Sequence, residues 1–572
     1  MHYPLSSHSR FSSHIAGSIG EHMVTSAYAD TFAHDNLPPR EQWPEMIFDL
    51  PELHYGERLN CVAELLDKMV ATHGERPAIH GLRKSWTYAA LQDRVNRIAR
   101  VLREDLRLVP GNRVLLRGDN NPMMAACILA VWKAGCIAVP TMPLLRAKEL
   151  TVIINKARVN ASLCAANLRT EMEAALGDAA LRGPVVYFNH EGPDALESLM
   201  RAKPAGFDTV DTAAEDVCLI AFTSGTTGTP KGTMHFHRDI LAACDCFPKY
   251  TLGAAADDIF IGTPPLAFTF GLGGLLLFPM RVGASTVLLE KLSPASLLEA
   301  IQHFGATVCF TAPTFYRKMT PLVPGYRMSS LKKTVSAGEA LPVATREQWR
   351  QASGIDMIDG IGSTEMLHIF ISASGDEIRP GATGKPVPGY RACVLDEEGS
   401  PVGPGVIGRL AVKGPTGCRY LADDRQRNYV ANGWNVTGDA YEMDAEGYFR
   451  FHARTDDMII SAGYNIAGPE VEDALLKHPA VAECGVVGFP DETRGEIVKA
   501  YIVLNAGFQP STSLVAELQD FVKRAIAPYK YPRAIEFRES LPRTGTGKLQ
   551  RFLLRTPEFA QSSASAGMLE MK

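Results

Sequence analysis

The ten residues from Thr223 to Gly232, TSGTTGTPKG, constrain this chain more than any other segment. Glycines let a backbone approach a ligand closely, and the interleaved hydroxyls and N–H groups can ring an anion. Lys231 adds a point charge. The apolar run Val217 to Phe222 before the loop reads as a buried strand, and a helical pattern starts near Arg238. A glycine-rich loop on a strand end is where open α/β sheets take their ligands. Pro230 stands where the loop of the common NTPases requires a glycine before its lysine, so this loop belongs to another class. A flexible surface loop is the competing reading.

Around the loop, short apolar runs alternate with helical ones from about Arg113 to Glu365. Val114–Leu116, Ser162–Ala165, Val185–Phe188, Thr286–Leu289 and Val308–Thr311 read as further strands. Met123–Ala134 and Pro294–Phe304 read as helices, the second punctuated by Ser293, Pro294 and Gly305. Such alternation predicts α/β architecture with parallel sheets covered on both faces. From Gly384 to Gly414 the texture changes to alternating runs between Gly/Pro turns, which predicts antiparallel hairpins. After Arg454 a third texture combines helices near Pro469–Lys477 and Leu514–Ile526 with strands at Cys484–Val487 and Ala500–Val503. It predicts a separate small α+β domain.

At 572 residues the chain should hold several domains, because single cores stop growing near roughly 250–300 residues. A net charge of −5 leaves no electrostatic footprint for nucleic acid. The longest apolar stretches, such as Leu272–Met280, are too short to span a bilayer, so no membrane is expected. Eleven scattered cysteines show no zinc spacing, which predicts no structural metal and suits a reducing cytoplasm. Residues 1–22 and 561–572 read as disordered extensions.

Five more segments follow the loop in order: SAGEALP (Ser336–Pro342), DGIGSTE (Asp359–Glu365), GWNVTGD (Gly433–Asp439), ARTDDMIISAGYN (Ala453–Asn465) and PRTGTGKLQR (Pro542–Arg551). Together they resemble the adenylate-forming superfamily of acyl-CoA ligases, luciferases and adenylation domains. The resemblance covers roughly Leu59 to Leu554. It implies a large N-terminal domain, residues 23–453, of two parallel-type sheets wrapped by helices plus a small antiparallel β subdomain. A hinge at 454–457 and a small mobile α+β C-terminal domain at 458–560 would follow.

The chemistry implied joins a carboxylate to the α-phosphate of ATP, releases pyrophosphate, and lets the thiol of coenzyme A displace AMP. Both steps concentrate negative charge, so positioning and electrostatic neutralisation dominate. By resemblance, Thr223, Ser224, Gly225, Thr226, Thr227, Gly228 and Lys231 handle the β- and γ-phosphates. Thr364 bonds the α-phosphate, and Glu365 holds Mg²⁺ through hard oxygen. Gly338, Glu339 and Ala340 border the adenine together with Asp359, Gly360, Ile361 and Gly362. Asp439 accepts from the ribose hydroxyls, with Arg454 close by. Lys548 bridges the carboxylate and the α-phosphate. Asp456 marks the hinge, and Gly463 lines the thiol tunnel after rotation. Read singly, Asp439 is better taken as a turn residue and Glu365 as a helix-start acid; within the ordered set those readings become minor. Ala453 stands where the family usually has glycine.

PLAFTFGLGG (Pro265–Gly274) with DGIGSTEMLHIF (Asp359–Phe370) is similar to the benzoate-CoA ligases. That places Phe268, Thr269, Phe270, His368 and Ile369 around the acyl group, as an aromatic ring needs a flat apolar slot. His368 is equally an ordinary buried histidine on this reading. Thr269 and the segment Thr25–Leu53 resemble the 2-aminobenzoate branch, so the expected acid is 2-aminobenzoate or benzoate. A carrier-loading adenylating enzyme or a ligase for another medium-size acid is the alternative, and a monomer or homodimer is expected.

Overall fold

The computed structural model describes residues 25–556 and 559, apart from 83, 182, 224–229, 462–463, 492–493 and 544–547. Of Asp456 and Asn465 it describes only the backbone. The extensions 1–22 and 561–572, and the candidates Ser224, Gly225, Thr226, Thr227, Gly228 and Gly463, therefore lie outside the described residues.

Two large sheets form the N-terminal part, and their strands are the apolar runs of the sequence. A six-stranded sheet is ordered Val185–Phe188, Ala161–Ala165, Arg113–Arg117, Ile137–Thr141, Val217–Phe222, Gly232–Phe236. Its neighbours pair in parallel except the last, which runs antiparallel to Val217–Phe222. A nine-stranded sheet carries the parallel neighbours Met357–Gly362, Lys333–Ala337, Val308–Thr311 and Ile259–Gly262. Ile369–Ser372 then lies antiparallel beside Met357–Gly362. Parallel strands are buried on both faces, which is why these segments read as continuous apolar runs rather than alternating ones.

Helices cover the sheets where the sequence places their caps. Ser293 accepts from the N–H of Ser296, Pro294 opens the helix and Gly305 closes it in the left-handed region. Asn121 caps Pro122–Lys133 by accepting from Met124 N–H, and most of that helix is buried all round. A five-stranded antiparallel sheet (Arg391–Leu395, Ile407–Lys413, Val430–Ala431, Trp434–Met443, Phe449–Arg454) follows the parallel sheets. The C-terminal part builds its own five-stranded sheet from Ile459–Ser461, Tyr464–Ile466, Val481–Asp491, Gly495–Leu504 and Ala534–Phe537, with helices Gly468–Leu475 and Thr512–Ala525. These enclose a hydrophobic cluster that includes Ile459, Val471, Val486 and Leu518. All eleven cysteines are free. Among the described residues no helix is long and apolar enough to cross a membrane.

One strand escapes the sequence reading. Between the glycine-rich loop and the helix His237–Asp245, the chain makes the strand Gly232–Phe236, which the local pattern hides. Its pairing partner is Val217–Phe222 on one side. On the other side Arg419 to Leu421 add on: Met234 N–H donates to Arg419 O at 2.7 Å and Leu421 N–H to Gly232 O at 2.8 Å.

The junction is locked by a wholly buried ion pair, with Arg419 Nη1 2.8 Å from Asp239 Oδ2. Burial alone would raise the Asp239 pKa, but Arg419, then His235 and Arg238, hold it down at about 2. Removing one partner strands a charge in the interior, which costs about 3–5 kcal/mol. Arg419→Met is therefore expected to lower the urea unfolding midpoint sharply. The double variant Arg419→Met/Asp239→Asn should recover part of that loss, and equal midpoints for the two would show that the charge pair is not the cause.

Candidate active site

The strand ends of the two parallel sheets bring the separated motifs together. Thr223 follows Val217–Phe222, and its N–H donates to Lys231 O at 2.9 Å, which closes the base of the loop. The Thr223 hydroxyl is buried and has no partner among the described residues. Lys231 Nζ donates to the Tyr420 hydroxyl at 2.8 Å and lies 3.9 Å from Glu365 Oε1. Tyr420 in turn donates to Glu365 Oε1. Desolvation first, and then Glu365, raise the Tyr420 pKa, so the phenol keeps its proton and acts as a donor.

Thr364 and Glu365 sit on the turn that leaves Met357–Gly362, and three bonds hold that turn. His235 Nε2 donates to Thr364 O at 2.8 Å, Thr416 Oγ1 donates to Met366 O at 2.8 Å, and Ser363 Oγ accepts from Met366 N–H at 3.2 Å. A Cβ on Gly362 would fall 2.6 Å from His368 O, so this crossing requires glycine. Asp359 and Gly360 pair in register with Ser336 and Ala337, which places SAGEALP and DGIGSTE side by side. Ile361, next along the same strand, is half-buried.

Gly338 follows the strand Lys333–Ala337 at φ 89°, where L side chains are strained. A Cβ there would lie 3.7 Å from Lys548 Cε, so the C-terminal lysine reaches the SAGEALP turn. By surface area the Lys548 residue is exposed, yet protein crowds its ammonium. Desolvation lowers its pKa, against the opposing fields of Glu339, Asp439 and Glu365. Asp439 is the cross-strand partner of Arg454, with Arg454 Nη1 3.2 Å from Asp439 Oδ1. Burial raises the Asp439 pKa against the pull of Arg454. Glu339 turns its carboxylate to Thr314, whose N–H donates to Oε2 at 3.2 Å, and to Arg543, whose Nη1 lies 3.3 Å from Oε1. Ala340 follows in the same turn, and Asp456 falls in a short 3₁₀ turn, Thr455–Asp457.

The benzoate-like segments also meet. Thr269 and Phe270 open a short helix, Thr269–Leu272, with Phe268 before it. His368 Nε2 donates to Phe270 O at 3.3 Å, and the ring is enclosed by Phe247, Phe270, Phe278 and Phe310 at centroid distances of 5.7, 5.6, 4.4 and 6.2 Å. Burial drives its pKa down to about 3, so the imidazole is neutral and Nδ1 remains an acceptor. That nitrogen is buried without a partner among the described residues. Ile369 packs over Gly360, beside this cluster.

His235, Thr314, Tyr420, Phe247, Phe278 and Phe310 join the site without a sequence signal of their own. Arg543 lies inside PRTGTGKLQR, which is the signal that could have found it. Two surface clefts of about 310 and 320 Å³ share none of these residues.

The chain matches the AMP-binding enzyme family over residues 66–420 and the AMP-binding enzyme C-terminal domain over 470–548. It is 34% identical to a benzoate-CoA ligase of Thauera aromatica, over 93% of this chain and all of that one. A crystal structure of an anthranilate-CoA ligase with anthranoyl-AMP superposes with a TM-score of 0.83 at 33% identity, covering 88% and 98% of the two chains. A benzoate-CoA ligase structure from Burkholderia xenovorans LB400 gives 0.80 at 31%, covering 87% and 100%. The chain belongs to the adenylate-forming family of AMP-binding enzymes. Within it, this is an AMP-forming acid–thiol ligase, an acyl- or aryl-CoA synthetase that uses ATP and coenzyme A.

One titration follows from the buried Asp359. Desolvation, against Arg346 and the Gly360 N–H, raises its pKa from the ordinary 3.8 to about 7. The stabilising contribution of the neutral carboxyl is complete below pH 3.8 and is lost as pH rises through about 7. Asp359→Asn is expected to gain thermal midpoint over the parent at pH 8.5 relative to pH 6. Parallel pH profiles for the two proteins would show that Asp359 is ionised throughout.

Proposed function

We propose that this ligase activates a small aromatic carboxylate, 2-aminobenzoate or benzoate, and transfers it to coenzyme A. The observation that carries this reading is the ring of phenylalanines around a neutral His368 beside Phe270 and Ile369. Flat apolar walls suit an aryl ring, and an aliphatic chain would not need them. The curated and solved relatives named for benzoate and anthranilate support the same class.

In the adenylating step a carboxylate oxygen attacks the α-phosphorus of ATP, and the bond to pyrophosphate breaks. The position of Lys548 beside Gly338 supports its role as the cation that bridges the two anions. Thr364, with its carbonyl held by His235, is assigned to the α-phosphate. The glycine-rich loop and Lys231 take the β- and γ-phosphates. Asp439 and Arg454 serve the ribose, and the Gly338–Ala340 and Asp359–Gly362 segments serve the adenine. Glu365 presents a hard carboxylate oriented by Tyr420, a donor set that fits Mg²⁺. When bound, that ion neutralises phosphate charge.

In the second step the CoA sulfur attacks the acyl carbon, AMP leaves, and the thiol proton is released. A hinge at 454–457 turning the unit 458–560 would withdraw Lys548 and bring the Gly463 loop to the thiol tunnel. The eleven free cysteines suit a cytoplasmic enzyme.

A screen of pyrophosphate release tests the substrate class, with benzoate and 2-aminobenzoate expected to exceed aliphatic acids of similar size. Equal turnover of a medium-chain acid would sink the aryl assignment. If Thr269 bonds an ortho amino group, Thr269→Ala should weaken 2-aminobenzoate selectively, by about 0.5–1.5 kcal/mol in kcat/KM. Equal losses on both acids would remove that bond from the account.

Lys548→Ala should lower adenylation by on the order of a hundredfold, while thioester formation from supplied acyl-adenylate survives. Asp456→Pro, which fixes φ at the hinge, should do the reverse. Equal damage to both half-reactions by both variants would contradict the two-conformation mechanism.

A further inference from the structure

Three residues far apart in the sequence converge beneath the site. Cys61 starts a helical stretch near the N-terminus, Cys218 lies in the strand Val217–Phe222, and His237 opens the helix His237–Asp245. One ligand atom from each lies within 4.8 Å of the others, and all three residues are fully buried. Cys61 Sγ is 3.2 Å from His237 Nδ1, which also accepts the Cys61 N–H at 3.2 Å, a bond that Nδ1 would give up on binding an ion. The His237 Nε2 atom is buried without a hydrogen-bond partner among the described residues. The His235 carbonyl, 3.5 Å from Cys218 Sγ, supplies an oxygen at the same place.

We infer that Cys61, Cys218 and His237 form a binding site for one thiophilic divalent cation of the zinc type, separate from the nucleotide's Mg²⁺. Sulfur and imidazole nitrogen are the ligands such ions choose, and Mg²⁺ and Ca²⁺ take oxygen instead. With Zn–S near 2.3 Å and Zn–N near 2.0–2.1 Å, ligand atoms on a common ion sit about 3.5–4 Å apart. The three ligand atoms lie within 4.8 Å of one another, so small side-chain shifts, including an opening of the 3.2 Å Cys61–His237 contact by a few tenths of an ångström, bring them to that spacing. Two thiolates and a neutral imidazole around a divalent ion sum to zero charge, which suits an interior that would penalise any net charge. Each of the two thiols is deprotonated on binding while the imidazole binds in its neutral form, so two protons leave. The His235 carbonyl can complete a four-ligand set.

The ion would staple the start of the Cys61 helix to both strands of the hairpin that frames the phosphate loop. One of those strands carries His235, whose ring holds Thr364 O. The role assigned is structural, since none of the three side chains is exposed to substrate.

The test is titration of the tag-free full-length chain, stripped by chelator, with Co²⁺ and then Zn²⁺. One equivalent of Co²⁺ should give thiolate-to-cobalt charge-transfer and tetrahedral d–d bands, and one equivalent of Zn²⁺ should abolish them. The bands should be lost in Cys218→Ala and kept in Cys244→Ala, a buried cysteine outside the cluster. Zinc should also raise the thermal midpoint of the unsubstituted chain, a readout that stands if Cys218→Ala fails to fold. Absence of bands and of any midpoint shift in the parent, or bands that persist in Cys218→Ala, would overturn the site.

Discussion

The buried pair between Asp239 and Arg419 is the contact on which the nucleotide end of the molecule depends. Arg419 comes from the segment between the antiparallel-sheet strands Ile407–Lys413 and Val430–Ala431, and Asp239 from the helix after the glycine-rich loop. Their union lets residues 419–421 extend the hairpin edge, and that extension puts Tyr420 between Lys231 and Glu365. Without Tyr420 the Lys231 ammonium and the Glu365 carboxylate would face each other at 3.9 Å across an unfilled gap. With it, one phenol holds both the Lys231 ammonium and the Glu365 carboxylate.

Burial then sets the charge state of the remaining groups, and in each case it favours the neutral form. His368 loses its proton, Asp359 and Asp439 have theirs held more tightly, and Lys548 is pushed toward the free amine. Desolvation is the first cause throughout, and nearby opposite charges offset only part of it. In the function proposed above, a bound triphosphate would bring negative charge that favours the protonated form of Lys548. Where no ligand charge comes, at His368, the neutral ring remains an acceptor in an apolar wall.

Local signals were enough for much of this. Ser293, Pro294 and Gly305 mark a helix whose ends depend only on those residues, and the apolar runs mark strands buried on both faces. Motif order placed Gly338, Asp359, Thr364, Glu365, Asp439 and Lys548 near one another; in the structure Asp359 pairs beside the strand that leads to Gly338, Gly338 lies next to Lys548, and Asp439 and Glu365 act on the Lys548 charge. What stayed hidden depends on partners supplied from a distance. Gly232–Phe236 becomes a strand only because Val217–Phe222 and Arg419–Leu421 flank it. Tyr420, Thr314 and the phenylalanines near His368 have no pattern of their own, and the Cys61, Cys218 and His237 trio has no motif spacing.

The energies of the two kinds of contact at the site suggest which of them can move. Arg419 and Asp239 are sealed from water, so breaking them exposes charges at a cost of several kcal/mol, and that junction stays shut. The contacts from the C-terminal part are different. Arg543 meets Glu339 at 3.3 Å and Glu483 meets Lys318 at 3.3 Å, each across to the N-terminal part and with part of the pair open to solvent. Pairs of that kind contribute from near zero to about 1 kcal/mol each. Contacts of this kind are the ones that the rotation proposed for the second half-reaction would break. That rotation therefore needs no contact in the N-terminal part to break.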